Sequence, residues 1–213
     1  MNREEQKEIR EVKKLVPIEI RKQRKQFDFQ YAHGFLYRFE GDFLYTAIID
    51  LPSNRIGVLN TSTLIKPWIL NKIYWEIQQM NMEEMLSQPK SFHVRGAFTI
   101  NDIYFRTESM TYDKNDFSHS INDALSKFDS EINEHKKRLT NIHTISEDVE
   151  GYKISNLTKS IVLIYEGNYE EALDMLLLSE QEGDVYKHVL IRDGNGKSAK
   201  DFAIEYCQIK LQP

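Results

Sequence analysis

The segment Gly194-Asn195-Gly196-Lys197-Ser198 carries the residue types of a phosphate-binding loop, in which glycine N–H groups and a lysine surround phosphate oxygens. Such a loop needs another glycine five residues before its Gly-Lys-Ser, and Ile191 stands there. Only 15 residues follow Ser198, too few to build a parallel-sheet domain with a magnesium-holding aspartate. The segment therefore reads as a tight turn that caps the last helix, and no nucleotide is expected. The six histidines are His33, His93, His119, His135, His143 and His188. No two are spaced i, i+4, the spacing that puts two imidazoles on one helical face toward a metal. Glu131 and His135 do have that spacing, but two ligands do not make a metal site, so His135 reads as a structural or half-exposed group. His119 falls where a helix begins and reads as a capping or solvent-facing group.

The single cysteine, Cys207, lies in a helical stretch beside Tyr206 and Ile209 and reads as a small buried hydrophobe. It cannot form a disulfide within the chain, which suits a reducing compartment. No Gly-x-Ser-x-Gly elbow occurs, and the carboxylates fall into no motif. No catalytic residue is assigned, and neither a cofactor nor a metal is expected. The basic cluster Arg21, Lys22, Arg24 and Lys25 precedes Phe27, Phe29 and Tyr31, a combination that could meet phosphates and stack bases. Against it stands the net charge of −5, from 28 basic and 33 acidic residues.

The elements that position these groups follow from periodicity. Residues 3–15 read as a charged helix with Ile9, Val12 and Val16 on one stripe, which Pro17 should interrupt or restart. Residues 1–26 hold nine Lys/Arg against five acids, and residues 140–185 hold two against ten. Both read as solvated helix faces; the sharper reading pairs them with each other or with different partners. Of 24 aromatic residues, 17 fall between Phe27 and Phe117, many in alternation. Phe35–Phe39, Phe43–Asp50 and Ile56–Asn60 read as antiparallel strands joined by short turns. Phe92–Phe105 reads as a fourth strand, or as a fourth and a fifth turned at Gly96 or at Asn101-Asp102. Phe35, Tyr37 and Phe39 should share one sheet face, as should Phe43, Tyr45 and Ala47, and at least one set should be core. Pro67 opens a helix to Gln79 whose apolar side needs a cover, for which the sheet is the available surface. A strongly amphipathic helix covers Phe117–Leu139. Helices follow at Ser155–Tyr165, from Tyr169 to before Gly183, and at Ala199–Leu211, with a short strand at Tyr186–Ile191.

The segment Tyr165-Glu-Gly-Asn-Tyr-Glu-Glu-Ala-Leu-Asp-Met-Leu-Leu resembles the turn and second helix of a tetratricopeptide unit. Ser160, Leu163, Ala172, Leu176 and Ser179 fit its small and large packing positions; Asn156, Lys159 and Asp184 depart from it. The resemblance spans about residues 155–181, once, while a stacked array needs about three units. It therefore implies a helical hairpin without a peptide-binding groove. The stretch from Lys66-Pro67-Trp68 to Phe105 resembles uncharacterised bacterial proteins of unknown function and implies no residue role.

These readings give an α+β fold: an antiparallel sheet of four or five strands with helices on one face, and a helical C-terminal lobe. Residues 1–115 should hold the N-terminal helix and sheet with one inserted helix, and residues 116–213 a mainly helical lobe, either separate or part of the same domain. No signal peptide or membrane span is expected, so the chain reads as cytoplasmic. The function expected first is a non-catalytic protein-binding or immunity/inhibitor-type module of a bacterial cytosol, with a protein partner and no membrane partner. The alternatives are an enzyme whose site assembles from residues distant in sequence, and nucleic-acid binding through the basic N-terminal segment.

Overall fold

A computed structural model describes residues 2–94, 99–100, 103–138, 155–181 and 197–212. The expected strand at Tyr186–Ile191, the glycines of Gly194–Gly196, and His143 and His188 lie outside the described residues. The fold is α+β, with five strands in the order β1-β2-β3-β4-β5 and seven α-helices among the described residues. The chain divides into two compact units, Met1–Ile65 with Tyr104–Thr140, and Lys66–Ile103 with Asn141–Pro213. The first holds the sheet and the second is helical. The helix at 117–138 falls in the unit that holds the sheet, and residues 66–94 in the helical unit.

The sheet unit begins with helix α1 (Arg3–Gln23). Asn2 caps it in a reciprocal box, its side chain accepting from Glu5 N–H while the Glu5 carboxylate accepts from Asn2 N–H. The expected break at Pro17 does not occur. Proline lacks the N–H that would bond the Lys13 carbonyl and costs about 3 kcal/mol in a helix interior. Ile9, Val12, Val16 and Ile20 are all buried along one stripe that runs past it. Burying such side chains is worth roughly 1.5–3 kcal/mol each, so packing outweighs the defect. Pro17→Ala is therefore expected to stabilise the protein by about 2 kcal/mol, after allowing for proline's restraint on the unfolded chain. Urea unfolding followed by circular dichroism measures this, and an unchanged midpoint would contradict it.

A 3₁₀ turn (Arg24–Phe27) leads to β1 (Gln30–Ala32) and β2 (Phe35–Glu40). Ala32 pairs with Phe35, so His33 and Gly34 alone make the hairpin turn, with φ of 53° and 87°. Two left-handed residues match the twist of the flanking strands, and Gly34 takes that conformation without strain. β3 (Phe43–Asp50) pairs antiparallel with β2 in the register Leu36↔Ala47, Arg38↔Tyr45 and Glu40↔Phe43. β4 (Val58–Pro67) runs seven residues beyond the expected end at Asn60, carried by Thr61, Thr63, Leu64 and Ile65, all buried. The expected strand at Phe92 is instead a 3₁₀ turn (Lys90–Val94), and β5 runs from Ile103 to Thr111. Phe92 N–H donates to the Pro89 carbonyl, closing that turn.

Helix α4 (Phe117–Arg138) lies on the sheet, and α1 lies along α4, where Gln23 donates to Ser118 and accepts from Asn122. In the helical unit, α2 (Trp68–Ile77) is followed by α3 (Met82–Ser87), capped by Asn81, which accepts from Glu84 N–H. α5 (Asn156–Glu166) and α6 (Tyr169–Gln181) form a hairpin turned by Gly167, at φ 82°. Gly167 and Asn168 N–H groups donate to the Ile164 and Leu163 carbonyls, closing α5 with two bonds that require the left-handed residue. α6 packs on α7 (Ala199–Lys210), and α2 packs on α5 and α7. Ser160, Ala172 and Leu176 are all buried in the hairpin. Among the described residues no helix is long and apolar enough to cross a membrane.

Candidate protein-docking surface

The stripe Ile9–Val12–Val16–Ile20 turns one side of α1 inward, so the residues out of register with it point to solvent. Two of these are large and apolar: Leu15 is 40% exposed and Ile18 is 45% exposed. On a helix, the neighbours of Ile18 are the residues three and four positions away. These are Lys14, Leu15, Arg21 and Lys22, all exposed, with Lys25 one turn beyond. From Lys13 to Lys25 there are six basic residues and one acid, Glu19. Lys22 Nζ lies 2.6 Å from Glu19, and this hydrogen bond holds the Glu19 carboxyl below its ordinary pKa. Arg21 lies over the Tyr31 ring at 5.3 Å. Among the described residues, Lys13, Lys14 and Lys25 have no carboxylate within ion-pair distance. The result is an apolar centre with a basic surround, on a helix made rigid by its buried stripe.

The aromatic residues expected to stack bases are not presented beside that charge. Phe29 is buried beneath the Arg38 guanidinium, at 5.1 Å, and Phe27 and Tyr31 are half-buried. Arg24 is turned inward, donating to the Phe29 carbonyl at 2.9 Å.

A second group of ionisable residues gathers between α4 and the sheet. Arg38 Nη1 donates to Asp129 at 2.6 Å and to the Phe27 carbonyl at 3.0 Å, and its Nε lies 2.9 Å from Glu40. Lys136 closes on Glu40 at 2.8 Å. One layer on, the Tyr45 hydroxyl meets His135 Nδ1 at 2.8 Å. Thr63 donates to Glu131, and Arg106 lies 3.5 Å from the same carboxylate. Glu108 takes Lys127 and Arg106 together, and the hydrogen bond from Lys127, then that from Arg106, lowers its pKa. The Glu131/His135 pair seen in the sequence is buried on α4, where each side chain meets a residue of the sheet. Its neighbours Tyr45, Thr63 and Arg106 come from three different strands and could not be found by spacing. The arrangement is chemically a set of mutual pairs that fasten α4 to the sheet.

The expected set Phe43, Tyr45 and Ala47 does face α4: the Phe43 and Tyr45 rings lie 6.3 and 5.5 Å from His135. On the opposite face, Tyr37, Leu44 and Thr46 are also buried, and Phe35 and Phe39 are half-buried. Among the described residues, β2 and β3 therefore present no open aromatic platform on either side.

In the helical unit, Trp68, Asn71 and Trp75 share one face of α2, and His93 packs on it at 4.9 Å from Trp68 and 5.4 Å from Trp75. Burial pushes the His93 pKa down, and the nearby Lys66 ammonium pushes it the same way. Lys66 is itself buried and donates to Thr99 at 2.9 Å. Cys207 is buried, and its thiol is pushed up to about 11 by that burial, as its reading as a small hydrophobe requires. Tyr206 donates to Glu76 at 2.8 Å, and burial first and that carboxylate second raise its pKa. Ser198 caps α7 in a reciprocal box with Asp201, and Lys197 bonds Glu205 at 2.5 Å, so both side chains of the Gly-Lys-Ser segment serve the helix start. His119 is exposed at the start of α4, 3.5 Å from Asp123.

No protein-family profile, curated protein or solved structure matches the chain. A functional reading consequently rests on its own surface chemistry. Among the described residues no group of three metal-binding side chains occurs.

Proposed function

We propose that this protein is a non-catalytic protein-binding module, of immunity or inhibitor type, and that the outward face of α1 is its docking surface. The observation that carries the reading is the exposed Ile18–Leu15 pair at the centre of a basic helical face. Binding energy at protein interfaces concentrates in a few apolar or arginine anchors ringed by polar groups, and this face supplies both. The buried Cys207 and the expectation of a reducing compartment support a cytosolic setting. The resemblance of residues 66–105 to bacterial proteins supports a bacterial one. Protein docking is favoured over nucleic-acid binding because Phe29 is withdrawn from the surface while Ile18 is not.

Leu15→benzoylphenylalanine, irradiated in the producing cell, should cross-link a discrete protein that mass spectrometry identifies. Once that protein is purified, Ile18→Glu should weaken its binding at least about ten-fold. The same substitution should leave stability unchanged or slightly higher. The introduced carboxylate would stand four residues after Lys14, which has no carboxylate within ion-pair distance among the described residues, an arrangement worth about 0.2–0.5 kcal/mol in a helix. Equal binding by the wild type and Ile18→Glu would overturn the assignment of this face.

A further inference from the structure

We infer that the partner of the α1 face is an acidic protein segment, a helix that places an apolar side chain over Ile18 and carboxylates one turn to either side. This inference rests on the docking reading and adds the chemistry of what docks. The geometry comes from α1 itself. Lys14 and Lys22 flank Ile18 at i−4 and i+4, so their stems leave the helix about 6 Å above and below it, with Arg21 alongside. An apposed helix repeats the same rise. Glu or Asp at i−4 and i+4 of its apolar residue therefore falls opposite Lys14 and Lys22 in either direction of approach.

Three further observations select this partner among anionic ones. Lys13, Lys14 and Lys25 have no carboxylate of the protein's own within ion-pair distance among the described residues, so a carboxylate opposite Lys14 displaces no existing pair, while one opposite Lys22 shares that lysine with Glu19. A nucleic acid offers phosphates for the lysines but nothing apolar for Ile18 and Leu15. The side chains that would stack on its bases are turned away, Phe29 beneath Arg38 and Tyr31 beneath Arg21. An anionic bilayer would take both charge and apolar groups, but the main apolar stripe of α1 is spent on the sheet unit. Two side chains that are 40% and 45% exposed remain to insert, little against the wide apolar face of membrane-surface helices. A protein interface, in contrast, needs only one or two anchors. Complementary charge around such an anchor speeds encounter and fixes register, and its contribution falls as salt rises.

The test uses the full-length protein and three fluorescein-labelled, alanine-based helical peptides read by anisotropy. The first carries one leucine with glutamates at i−4, i−3, i+3 and i+4; the second has glutamine for every glutamate; the third has alanine for the leucine. The first should bind at low ionic strength and weaken steadily as salt is added. Ile18→Glu should cut its affinity at least about ten-fold, and Lys14→Gln with Lys22→Gln several-fold. The second and third peptides should bind markedly less. Equal binding of the glutamine peptide, or no binding of the first, overturns the acidic partner. So does tighter saturation by a single-stranded oligonucleotide or by phosphatidylserine vesicles. If cross-linking from position 15 still captures a protein whose binding fails in Ile18→Glu, the docking face stands and only its partner chemistry is rejected.

Discussion

Arg38→Ala is expected to destabilise the sheet unit by about 3 kcal/mol. Arg38 is 9% exposed, on the β2 face that meets α4. Its guanidinium joins three elements: Asp129 of α4 at 2.6 Å, the Phe27 carbonyl of the 3₁₀ turn at 3.0 Å, and Glu40 of its own strand at 2.9 Å. It also covers the ring of buried Phe29. Removing a buried charge that has partners on several sides costs about 3–5 kcal/mol when those partners stay buried. Asp129 and Glu40 retain 34% and 27% exposure, so water can solvate them after the loss, which places the expected value at the lower end. The carbonyl of Phe27 and the space over Phe29 have no such relief. Arg38→Met, which keeps the stem over Phe29, should recover about half of the loss. Hydrogen exchange gives the local readout: β2 and α4 amides should lose protection together. A variant with wild-type protection in α4 would show that Arg38 does not hold the helix to the sheet.

This residue also shows what the sequence made legible. In Phe35-Leu-Tyr37-Arg-Phe39 the alternation announces a strand and places Arg38 opposite the aromatics, both of which hold. The alternation by itself leaves open which face a helix covers. The register decides, because Arg38↔Tyr45 puts the arginine on the helix-facing side, next to the aromatic set of β3. Strand identity is a local property, whereas which face is covered depends on where a helix some 90 residues later comes to rest. The same limit hid Thr63 and Arg106 from Glu131. The docking surface was half visible. The basic cluster could be counted, but Ile18 becomes conspicuous only once α1 continues through Pro17, which fixes the side on which Ile18 emerges. The short helix after Asn81 had a readable signal, a cap followed three residues later by Glu84, but too few apolar residues to announce a period.

Trp75→Ala should cost the helical unit about 3–5 kcal/mol, the range for deleting a fully buried tryptophan. It should also change how that unit responds to acid. Trp75 has no exposed surface and packs on Trp68 at 5.7 Å and on His93 at 5.4 Å. His93 is kept neutral by that burial and by Lys66, so its pKa in the folded unit lies below the ordinary 6.5. Between the two values the unfolded chain binds a proton that the folded one does not. Stability is therefore full above about pH 6.5 and declines as the pH falls toward the folded value. Both tryptophans of the chain lie in this unit, so fluorescence follows its unfolding directly. In urea, the wild-type fluorescence midpoint should drop between pH 7 and pH 5. His93→Phe, with no titrating ring, should lose much of that drop. Trp75→Ala admits water to the imidazole, which brings its folded pKa back toward 6.5 and removes the source of the difference. The variant should consequently be much less stable at pH 7 and yet show the shallower dependence on acid. Parallel pH profiles for the wild type and Trp75→Ala would mean that the tryptophan does not shield His93. In that case the acid sensitivity of the unit would have to arise from its carboxylates.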